Sequence, residues 1–232
     1  MRKIIALNHV TLDGIIQSGG GPEEDPRGGF TQGGWTIPFR SADGGAALGE
    51  IMSREFDLLL GRRTYEIFAA YWPYAGDNPI ANAFNKAAKY VVTNSLDRFD
   101  WVNTHRVSGD AVDQVRRLKA SDGPELHIWG SSKLLQTLIA AQLVDEFRVW
   151  IYPLILGKGK RLFEDGVPPL RFTFVESRPT SNGVLHSLPH QQRKDSCKNL
   201  STVPPLNNVS KSHRIQAKFA TFCDYSSVGL PY

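Results

Sequence analysis

The chain has 232 residues, of which 41% are hydrophobic and 22% charged, as in an ordinary globular protein with one large domain, or one domain and an appendage. No apolar run approaches the ~20 residues that a membrane span needs, and the start of the chain lacks a signal-peptide pattern, so we expect a cytoplasmic protein. Residues 187–232 hold six of the 27 Lys and Arg side chains but only two of the 23 Asp and Glu, which accounts for the whole net charge of +4. The remainder is formally neutral, which argues against a nucleic-acid partner.

The first half of the chain alternates strand and helix patterns. In order, it predicts a strand at 3–7, a Gly-rich loop at 19–35, a helix through 48–56 capped by Asp43, a strand at 57–61, a helix at 64–72 capped by Thr64, a helix at 80–87 and a strand at 89–93. Proline disfavours helical geometry in the residue before it, so the helix that begins at Thr64 should end at Pro73.

The second half repeats the alternation. It predicts a helix at 111–120, a strand at 126–130, a helix at 131–142 capped by Ser131, strands at 146–156 and 170–177, and a turn at 180–185 that leads into another strand. Strands separated by helices pair in parallel, because a parallel connection needs a crossover. No helical pattern separates the strands at 146–156 and 170–177, so we expect the sheet to end in antiparallel pairing.

The strand and helix patterns stop after residue 185. Residues 187–232 contain no Glu and are rich in Ser, Asn and Pro, and Pro189 should interrupt any strand early. We therefore predict a folded domain at 1–186 and a basic, poorly ordered tail at 187–232. Cys197 and Cys223 lie in this tail without partners at ligand spacing, which predicts free thiols and no metal site.

Two arginines follow a buried strand in 58-LLLGRRTYEIFAAYWP-73. The N-terminus of a helix presents unpaired N–H groups and a partial positive charge, which attract anions. Arg62 and Arg63 at this point add guanidinium groups that can bind phosphate through two hydrogen bonds each. A solvated pair of arginines in a loop is the alternative that this stretch alone leaves open.

Two other strand ends are also polar. The strand at 126–130 runs into Gly130, Ser131 and Ser132, where glycine lets a ligand approach the backbone and the serines offer hydroxyl groups. The third is 93-TNS-95. Ligands of open α/β sheets bind beyond the carboxyl ends of strands, so three such ends suit a ligand with several phosphates, such as a dinucleotide. The absence of GxGxxG after the first strand and of GxxxxGK[ST] argues against a Rossmann dehydrogenase and a P-loop NTPase.

Six segments, in this order, resemble the RibD C-terminal reductase family of dihydrofolate-reductase-like proteins. They are 11-TLDG-14, 33-GGWTIPF-39, 58-LLLGRRTYEIFAAYWP-73, 89-KYVVTNSL-96, 126-LHIWGSSKLLQTLIAAQLVDEFRV-149 and 153-PLILGKGKRLF-163. The resemblance covers about residues 1–185, and GRRTYE and the run from LVDE to LGKGKRLF are its most specific parts. It implies a dihydrofolate-reductase-like three-layer α/β/α sandwich with a mostly parallel central sheet and an antiparallel C-terminal end.

The resemblance also implies NADPH as cofactor. By position, it assigns Gly61, Arg62, Arg63 and Thr64 to the pyrophosphate and the adenosine 2′-phosphate, Thr93, Asn94 and Ser95 to the adenosine end, and Gly130, Ser131, Ser132 and Lys133 to the pyrophosphate and nicotinamide side. The implied function is that of a reductase like the riboflavin-biosynthesis 5-amino-6-(5-phosphoribosylamino)uracil reductase, which transfers hydride to a small heterocyclic or ribosylamino-pyrimidine-like substrate. The chain departs from the family after residue 185, where a longer apolar strand is expected.

Two carboxylates are candidate proton sources for such a reaction. Asp13 lies in TLDG, and Asp43 precedes GRRT at a distance close to that of the substrate-binding acid in dihydrofolate reductase. Each also suits a structural role, Asp13 in the turn before Gly14 and Asp43 as a helix cap. Trp35 and Phe39 are candidates to stack on a flat heterocycle, with simple core packing as the alternative.

Other functions stay open from the sequence. One is a non-catalytic NADP(H)-binding module or dimeric regulatory protein. Oligomers are common in this fold class, and the apolar segment 146–156 is a candidate interface strand. An identifiable proton donor favours the enzyme, whereas NADPH binding without slow oxidation favours the module. A further alternative is that the altered C-terminus leaves a domain that folds poorly. The expected partners are a small-molecule substrate and a second copy of the chain, without nucleic acid or membrane.

Overall fold

The computed structural model describes residues 1–167 and 171–191. Its helices and strands are β1 (Ile4–Thr11), α1 (Ala42–Met52), β2 (Phe56–Gly61), α2 (Arg62–Tyr71), α3 (Pro79–Lys86), β3 (Lys89–Val92), β4 (Thr104–Val107), α4 (Ala111–Ala120), β5 (Glu125–Trp129), α5 (Ser132–Ala140), β6 (Glu146–Tyr152), β7 (Phe172–Pro179) and β8 (Leu185–Gln191). Short 3-10 helices lie at Arg27–Gly29, Ile37–Phe39 and Trp72–Tyr74. Within these residues no helix is long and apolar enough to cross a membrane.

The strands form one sheet in the order β4–β3–β2–β5–β1–β6–β8–β7. Every pairing from β4 to β6 is parallel. The pairings of β8 with β6 and with β7 are antiparallel. A tight turn joins β7 to β8, in which Thr180 N–H donates to Val184 O at 2.8 Å, and such a turn can only connect antiparallel strands. The predicted parallel sheet with an antiparallel end is confirmed.

Helices cover both faces of this sheet. On β1, Ile5 and Leu7 pack into one apolar core with the buried side chains of α1, α2 and α3. Ile4 and Ala6 point to the opposite face and pack into a second core with α4 and α5. The two cores follow from the alternation of side chains along a strand, and a strand buried on both faces is apolar throughout. The predicted three-layer α/β/α sandwich is therefore confirmed.

The same burial explains the run of leucines in β2. Leu58, Leu59 and Leu60 are each 0% exposed, because helices lie on both faces of β2 and strands on both sides. Removing each such side chain from water contributes roughly 1.5–3 kcal/mol. A continuous apolar run of this kind fixes β2 in the interior and places the residue after it, Gly61, at the carboxyl edge of the sheet.

Several element boundaries differ from the predicted ones. The N-cap of α1 is Ser41, whose Oγ accepts a hydrogen bond from Gly44 N–H at 3.2 Å, so Asp43 lies in the first turn instead. The N-cap of α2 is Gly61, so the prediction of Thr64 as its cap is wrong. β4 was not predicted, because its sequence THRV is partly or fully exposed and has no apolar alternation.

β8 extends through Gln191, five residues past the predicted end of the folded domain at 186. The expectation that Pro189 interrupts the strand early is therefore corrected. β8 pairs with β6 only at 185–187 but with β7 as far as Gln191. At Pro189 the strand has a partner on one side only, and proline is tolerated where no ladder hydrogen bond is required. Residues 192–232 lie outside the described residues, and for them the basic tail stays a prediction.

The apolar segment predicted as a dimer interface contains β6, which is an inner strand of the sheet. β6 pairs with β1 on one side and with β8 on the other, and Phe147, Val149 and Trp150 are buried. Over residues 149–151, where it is paired on both sides, β6 has no free hydrogen-bonding edge with which to recruit a second chain. The homodimer itself stays a prediction.

A buried ion pair joins the start of the chain to the centre of the sheet. Arg2 pairs with Asp57 on β2, and the side chains of the two residues are 2% and 12% exposed. Asp57 also accepts a hydrogen bond from Ala88 N–H at 3.0 Å, next to the start of β3. The guanidinium of Arg2 lies 5.3 Å from the ring centre of Tyr90. One carboxylate thus connects three segments in the interior.

We expect Asp57→Ala to lower the free energy of unfolding by about 3–5 kcal/mol, because it leaves the Arg2 charge buried without its partner. Urea unfolding of the full chain measures this loss. Asp100→Ala is the matched control, since Asp100 pairs with Arg98 at 2.8 Å but is 73% exposed, and it should cost less than about 1 kcal/mol. Equal losses in the two variants would show that Asp57 does not hold these segments together.

Candidate functional site

The carboxyl ends of β2 and β5 lead directly into α2 and α5, and two hydrogen bonds join these two turns. Gly61 N–H donates to Ser131 Oγ at 3.0 Å, and Ser131 N–H donates to Thr64 Oγ1 at 3.1 Å. Ser131 occupies the predicted N-cap position of α5, but its hydroxyl bonds to Gly61 and not to its own helix. Two helix N-termini, each with a partial positive charge, are therefore held side by side.

The turn into α5 has an unusual backbone. Gly130 and Ser131 both adopt the left-handed region, with φ values of 55° and 49°. Glycine tolerates this conformation, whereas serine adopts it at some cost. The two hydrogen bonds of Ser131 to the other turn offset that cost and fix the direction in which α5 starts.

A cavity of about 730 Å³ lies beside the two helix N-termini. The loop between β1 and α1 lines its other side, with residues 16–20 and 24–25 among them. The lining includes these predicted cofactor-binding residues: Gly61, Arg62, Arg63, Thr64, Gly130, Ser131, Ser132 and Lys133. Two predicted groups that are about 70 residues apart in the sequence thus share one cavity.

Arg63 enters the cavity with its charge weakly neutralised. Its guanidinium nitrogens lie 3.7 Å from a carboxylate oxygen of Asp25 and 3.5 Å from one of Glu66, both longer than the usual N–H···O hydrogen bond. Its Nε has no hydrogen-bond partner among the described residues. The carboxylate of Asp25 is instead held by Arg27 through bonds of 2.6 and 2.7 Å, and these bonds lower the pKa of Asp25. Arg63 can therefore accept an anion without losing a short ion pair.

The third predicted group, at the end of β3, adjoins the cavity without lining it. Arg62 links the two places, since it donates to Glu66 at 2.7 Å and to Ser95 Oγ at 2.7 Å. Thr93 Oγ1 accepts hydrogen bonds from the N–H groups of Ser95 and Leu96 and so shapes the turn. The side chain of Asn94, next in the same turn, bonds to the backbone of residue 109. This turn therefore lies next to Arg62 and outside the cavity lining.

Four residues of the cavity carry a buried polar atom without a hydrogen-bond partner among the described residues. These atoms are Asn8 Nδ2, Arg63 Nε, Trp129 Nε1 and Ser132 Oγ. A buried donor that lacks a partner costs roughly 1–3 kcal/mol, so such groups are rare unless a ligand or water completes them. Sequence reasoning missed Asn8 and Trp129. The signal for Asn8 was available, because a polar pair interrupts the apolar strand 4-IIALNHVT-11.

His9, the other half of that polar pair, lines the cavity next to Trp129. Its Nδ1 lies 2.8 Å from the Tyr152 hydroxyl. Burial, with a smaller contribution from the charge of His186, lowers the pKa of His9 to about 4, and burial raises the pKa of Tyr152 to about 12. Both side chains are therefore neutral near pH 7.

The predicted substrate-binding aromatic residues lie behind His9 and not in the cavity lining. Trp35 and Phe39 both pack edge-on against Tyr152, with ring centres 5.1 and 5.5 Å away. Trp35 is 7% exposed, and its Nε1 donates to Gln17 O at 2.7 Å. Both rings thus pack against Tyr152, and Trp35 also bonds to Gln17 in the loop that lines the cavity.

Neither predicted carboxylate lines the cavity. Asp13 accepts hydrogen bonds from Thr11 and from the N–H groups of Leu156 and Gly157, and although burial raises the pKa of Asp13, these bonds lower it overall. Asp43 accepts bonds from the backbone and hydroxyl of Ser181 at 2.6 and 2.9 Å, and hydrogen bonds from Ser41 and Ser181 lower its pKa. Both carboxylates hold turns together.

The mostly parallel sheet with helices on both faces defines a protein of the dihydrofolate-reductase-like fold class. The family model of the RibD C-terminal domain matches residues 2–186. The chain belongs to this family, which is of reductase type. The protein YyaP of Bacillus subtilis (strain 168) is 27% identical to it over 197 residues, which cover 82% of this chain and 95% of YyaP.

Two solved structures share the fold. A protein assigned to riboflavin biosynthesis from Shewanella sp. PV-4 superposes with a TM-score of 0.60 at 22% identity, covering 82% of this chain and 99% of that chain. Dihydrofolate reductase from Enterococcus faecalis, complexed with NADP(H), gives a TM-score of 0.52 at 14% identity and covers 82% of this chain and 97% of its own.

Ser131→Ala should lower the free energy of unfolding by about 1–2 kcal/mol, because Gly61 N–H loses its acceptor. Ser132→Ala is the matched control: its buried hydroxyl has no partner among the described residues, so the free protein should lose no stability. Chemical denaturation of both variants measures the difference. A loss as large for Ser132→Ala as for Ser131→Ala would contradict the assigned hydrogen bonds.

Stability should fall as the pH drops from 6.5 to about 4. The pKa of His9 is lowered from its ordinary value of 6.5 to about 4, and burial also lowers the pKa values of His127 and His186. The unfolded chain therefore binds protons before the native protein does, and the native state loses on the order of 3 kcal/mol from His9 across this window. Above pH 6.5 the contribution of His9 to the free energy of unfolding should be fully present.

Urea unfolding of the wild type and of His9→Gln at several pH values between 7.5 and 4.5 tests this expectation. His9→Gln should lose less stability than the wild type as the pH falls, because it lacks one titrating imidazole. If the free energy of unfolding of the wild type and of His9→Gln falls equally with pH, a lowered pKa of His9 is not the cause of the loss.

Proposed function

We propose that this chain is an NADPH-dependent oxidoreductase that transfers hydride to a small heterocyclic or ribosylamino-pyrimidine-like substrate. The observation that carries the proposal is the pair of helix N-termini joined through Ser131 at one cavity. Four buried polar groups in the lining have no hydrogen-bond partner among the residues that the structure describes. A ligand with several anionic groups and hydrogen-bonding atoms satisfies both features. Membership of a reductase-type family supports the same conclusion.

The residues of the cavity fit the cofactor's chemistry. Arg62, Arg63 and the start of α2 would hold phosphate groups, since guanidinium groups and helix N-termini favour anions. Gly130 and Ser131 would meet the pyrophosphate from the start of α5, and the turn 93–95 would border the adenosine. The buried polar atoms of Asn8 and Trp129, which have no hydrogen-bond partner among the described residues, would bind the polar part of the nicotinamide. When bound, the cofactor supplies the hydride.

The aromatic part of the cavity lining supports a flat substrate. His9, Phe68 and Trp129 contribute this surface, and aromatic rings stack on heterocycles. These side chains exclude water and orient the ring of the substrate, which strengthens every electrostatic contact made inside the cavity. Lys160 also lines the cavity, where burial and the charge of Arg27 lower the pKa of its ammonium.

A binding module without turnover is the second candidate function. The observation that favours it is that the carboxylates of Asp13 and Asp43 serve in turns outside the cavity lining. A module would bind NADPH and leave it unoxidised with every acceptor. If the chain is an enzyme, a group other than these two carboxylates must lie at the reacting atoms.

A titration of the full chain with NADPH and with NADH, followed through tryptophan fluorescence, tests the cofactor. We expect micromolar NADPH affinity, at least tenfold tighter than that for NADH. Ten-fold corresponds to about 1.4 kcal/mol, a modest value for contacts to a 2′-phosphate. Equal affinities, or no binding by a protein shown to be folded, would contradict NADPH as the cofactor.

Arg63→Ala should weaken NADPH binding at least tenfold, because it removes the weakly paired guanidinium from the cavity. Arg98→Ala is the control, since the side chain of Arg98 is 87% exposed and pairs only with Asp100 among the described residues. Its NADPH affinity should equal that of the wild type. If both variants bind alike, the phosphates do not lie at Arg63.

A further inference from the structure

His9 and Tyr152 form a hydrogen-bonded pair beside the cavity. They come from neighbouring parallel strands, where Thr11 on β1 stands in register with Tyr152 on β6. His9 stands in register with Trp150 in the same pairing. Of the two members of the pair, His9 lines the cavity. None of the phosphate-binding contacts described above involves either side chain.

Aromatic neighbours fix the ring of His9. It stacks on Trp150 with ring centres 4.9 Å apart and an interplanar angle of 26°, and Trp150 stacks in turn on His186. Tyr152 is held from the other side by the edge contacts of Trp35 and Phe39. These contacts leave the imidazole little freedom to rotate, so its two nitrogens keep distinct surroundings.

The hydrogen bond to Tyr152 determines what the second nitrogen of His9 can do. Nδ1 faces the Tyr152 hydroxyl at 2.8 Å, and Nε2 makes no hydrogen bond within the part of the chain that the structure describes. If the hydroxyl donates to Nδ1, the proton of a neutral imidazole resides on Nε2. The lowered pKa of His9 agrees with a neutral ring at pH 7.

We propose that His9 donates a hydrogen bond through Nε2–H to the oxygen or nitrogen atom of the substrate's reducible double bond. Tyr152 is the positioning residue that sets the tautomer of His9. This inference rests on the proposed reductase function. The acceptor carbon of a C=O or C=N group receives hydride, and the π electron pair moves to the oxygen or nitrogen, which then takes a proton from water. The substrate is reduced and the nicotinamide is oxidised.

A preorganised donor aimed at the atom where negative charge develops lowers the barrier of such a step. A neutral imidazole serves this purpose, because its N–H group donates a hydrogen bond without a positive charge having to be buried in the cavity. The donor has no competitor among the predicted carboxylates, since Asp13 and Asp43 lie outside the cavity lining. The substrate class that follows is a flat compound whose reducible double bond ends in a hydrogen-bond acceptor.

The tautomer of His9 is measured first, by long-range ¹H–¹⁵N NMR on the full chain labelled with ¹⁵N-histidine, with His9→Gln to assign its signals. At pH 7 we expect a neutral ring with the proton on Nε2. Tyr152→Phe, which keeps the ring and removes the hydroxyl, should lose this preference. A wild-type proton on Nδ1 would overturn the proposal, because Nε2 would then be an acceptor. A charged ring at pH 7 would overturn it as well.

The rate of hydride transfer is measured second, as NADPH loss with the flat dicarbonyl 9,10-phenanthrenequinone. His9→Leu should be at least ~100-fold slower than the wild type, as for loss of a donor to a developing oxyanion. His9→Gln retains an N–H donor and should stay within ~10-fold, a rescue that a packing role would not give. A His9→Leu rate equal to that of the wild type would overturn the proposal.

The NADPH affinity of each variant, from the same fluorescence titration, separates loss of rate from loss of cofactor. If the wild type does not bind NADPH, the proposed function fails, and the tautomer measurement still decides whether Nε2 is a donor. If the wild type binds NADPH but does not reduce the quinone, the tautomer alone decides the inference. The measurements thus distinguish a protein that does not bind NADPH from one in which Nε2 of His9 is not a donor.

Discussion

The two hydrogen bonds between the start of α2 and the start of α5 are the constraint on which the candidate site depends. Gly61 donates to the Ser131 hydroxyl and Ser131 donates to the Thr64 hydroxyl, so each turn satisfies a backbone N–H of the other. Helix N-termini always leave such groups unpaired. Here part of that need is met between the turns, and the remaining N–H groups of both helices share one cavity. The parallel sheet makes this arrangement available, because it brings the carboxyl ends of β2 and β5 to the same edge.

The cavity is lined by two chemically different kinds of group. Among the described residues, the charge of Arg63 is balanced by long contacts to Asp25 and Glu66, which leaves it suited to an anion. The lining also contains aromatic side chains, and burial keeps the imidazole of His9 uncharged. Cationic groups and neutral aromatic groups in one cavity suit a ligand that carries both phosphates and a reactive ring.

Much of the fold was predictable from local pattern. The fully apolar LLL of β2 indicated a strand covered on both faces, and the absence of a helix between 146–156 and 170–177 indicated an antiparallel end. β4 escaped prediction because its pairing with β3 uses backbone groups, while its side chains are largely exposed. The continuation of β8 through Pro189 escaped because the tolerance for proline depends on which neighbouring strand is present at that residue.

The sequence by itself determined that GRRT and GSSK begin helices after buried strands, because strand burial and helix-terminus chemistry are local properties. It also indicated the family through short motifs. Only the tertiary structure decided that Asp13 and Asp43 serve in turns, and that Asn8, His9 and Trp129 line the cavity. The same carboxylate or imidazole side chain can serve in a turn or line a cavity. Its role depends on partners more than a hundred residues away, which are set by strand register and not by neighbouring residues.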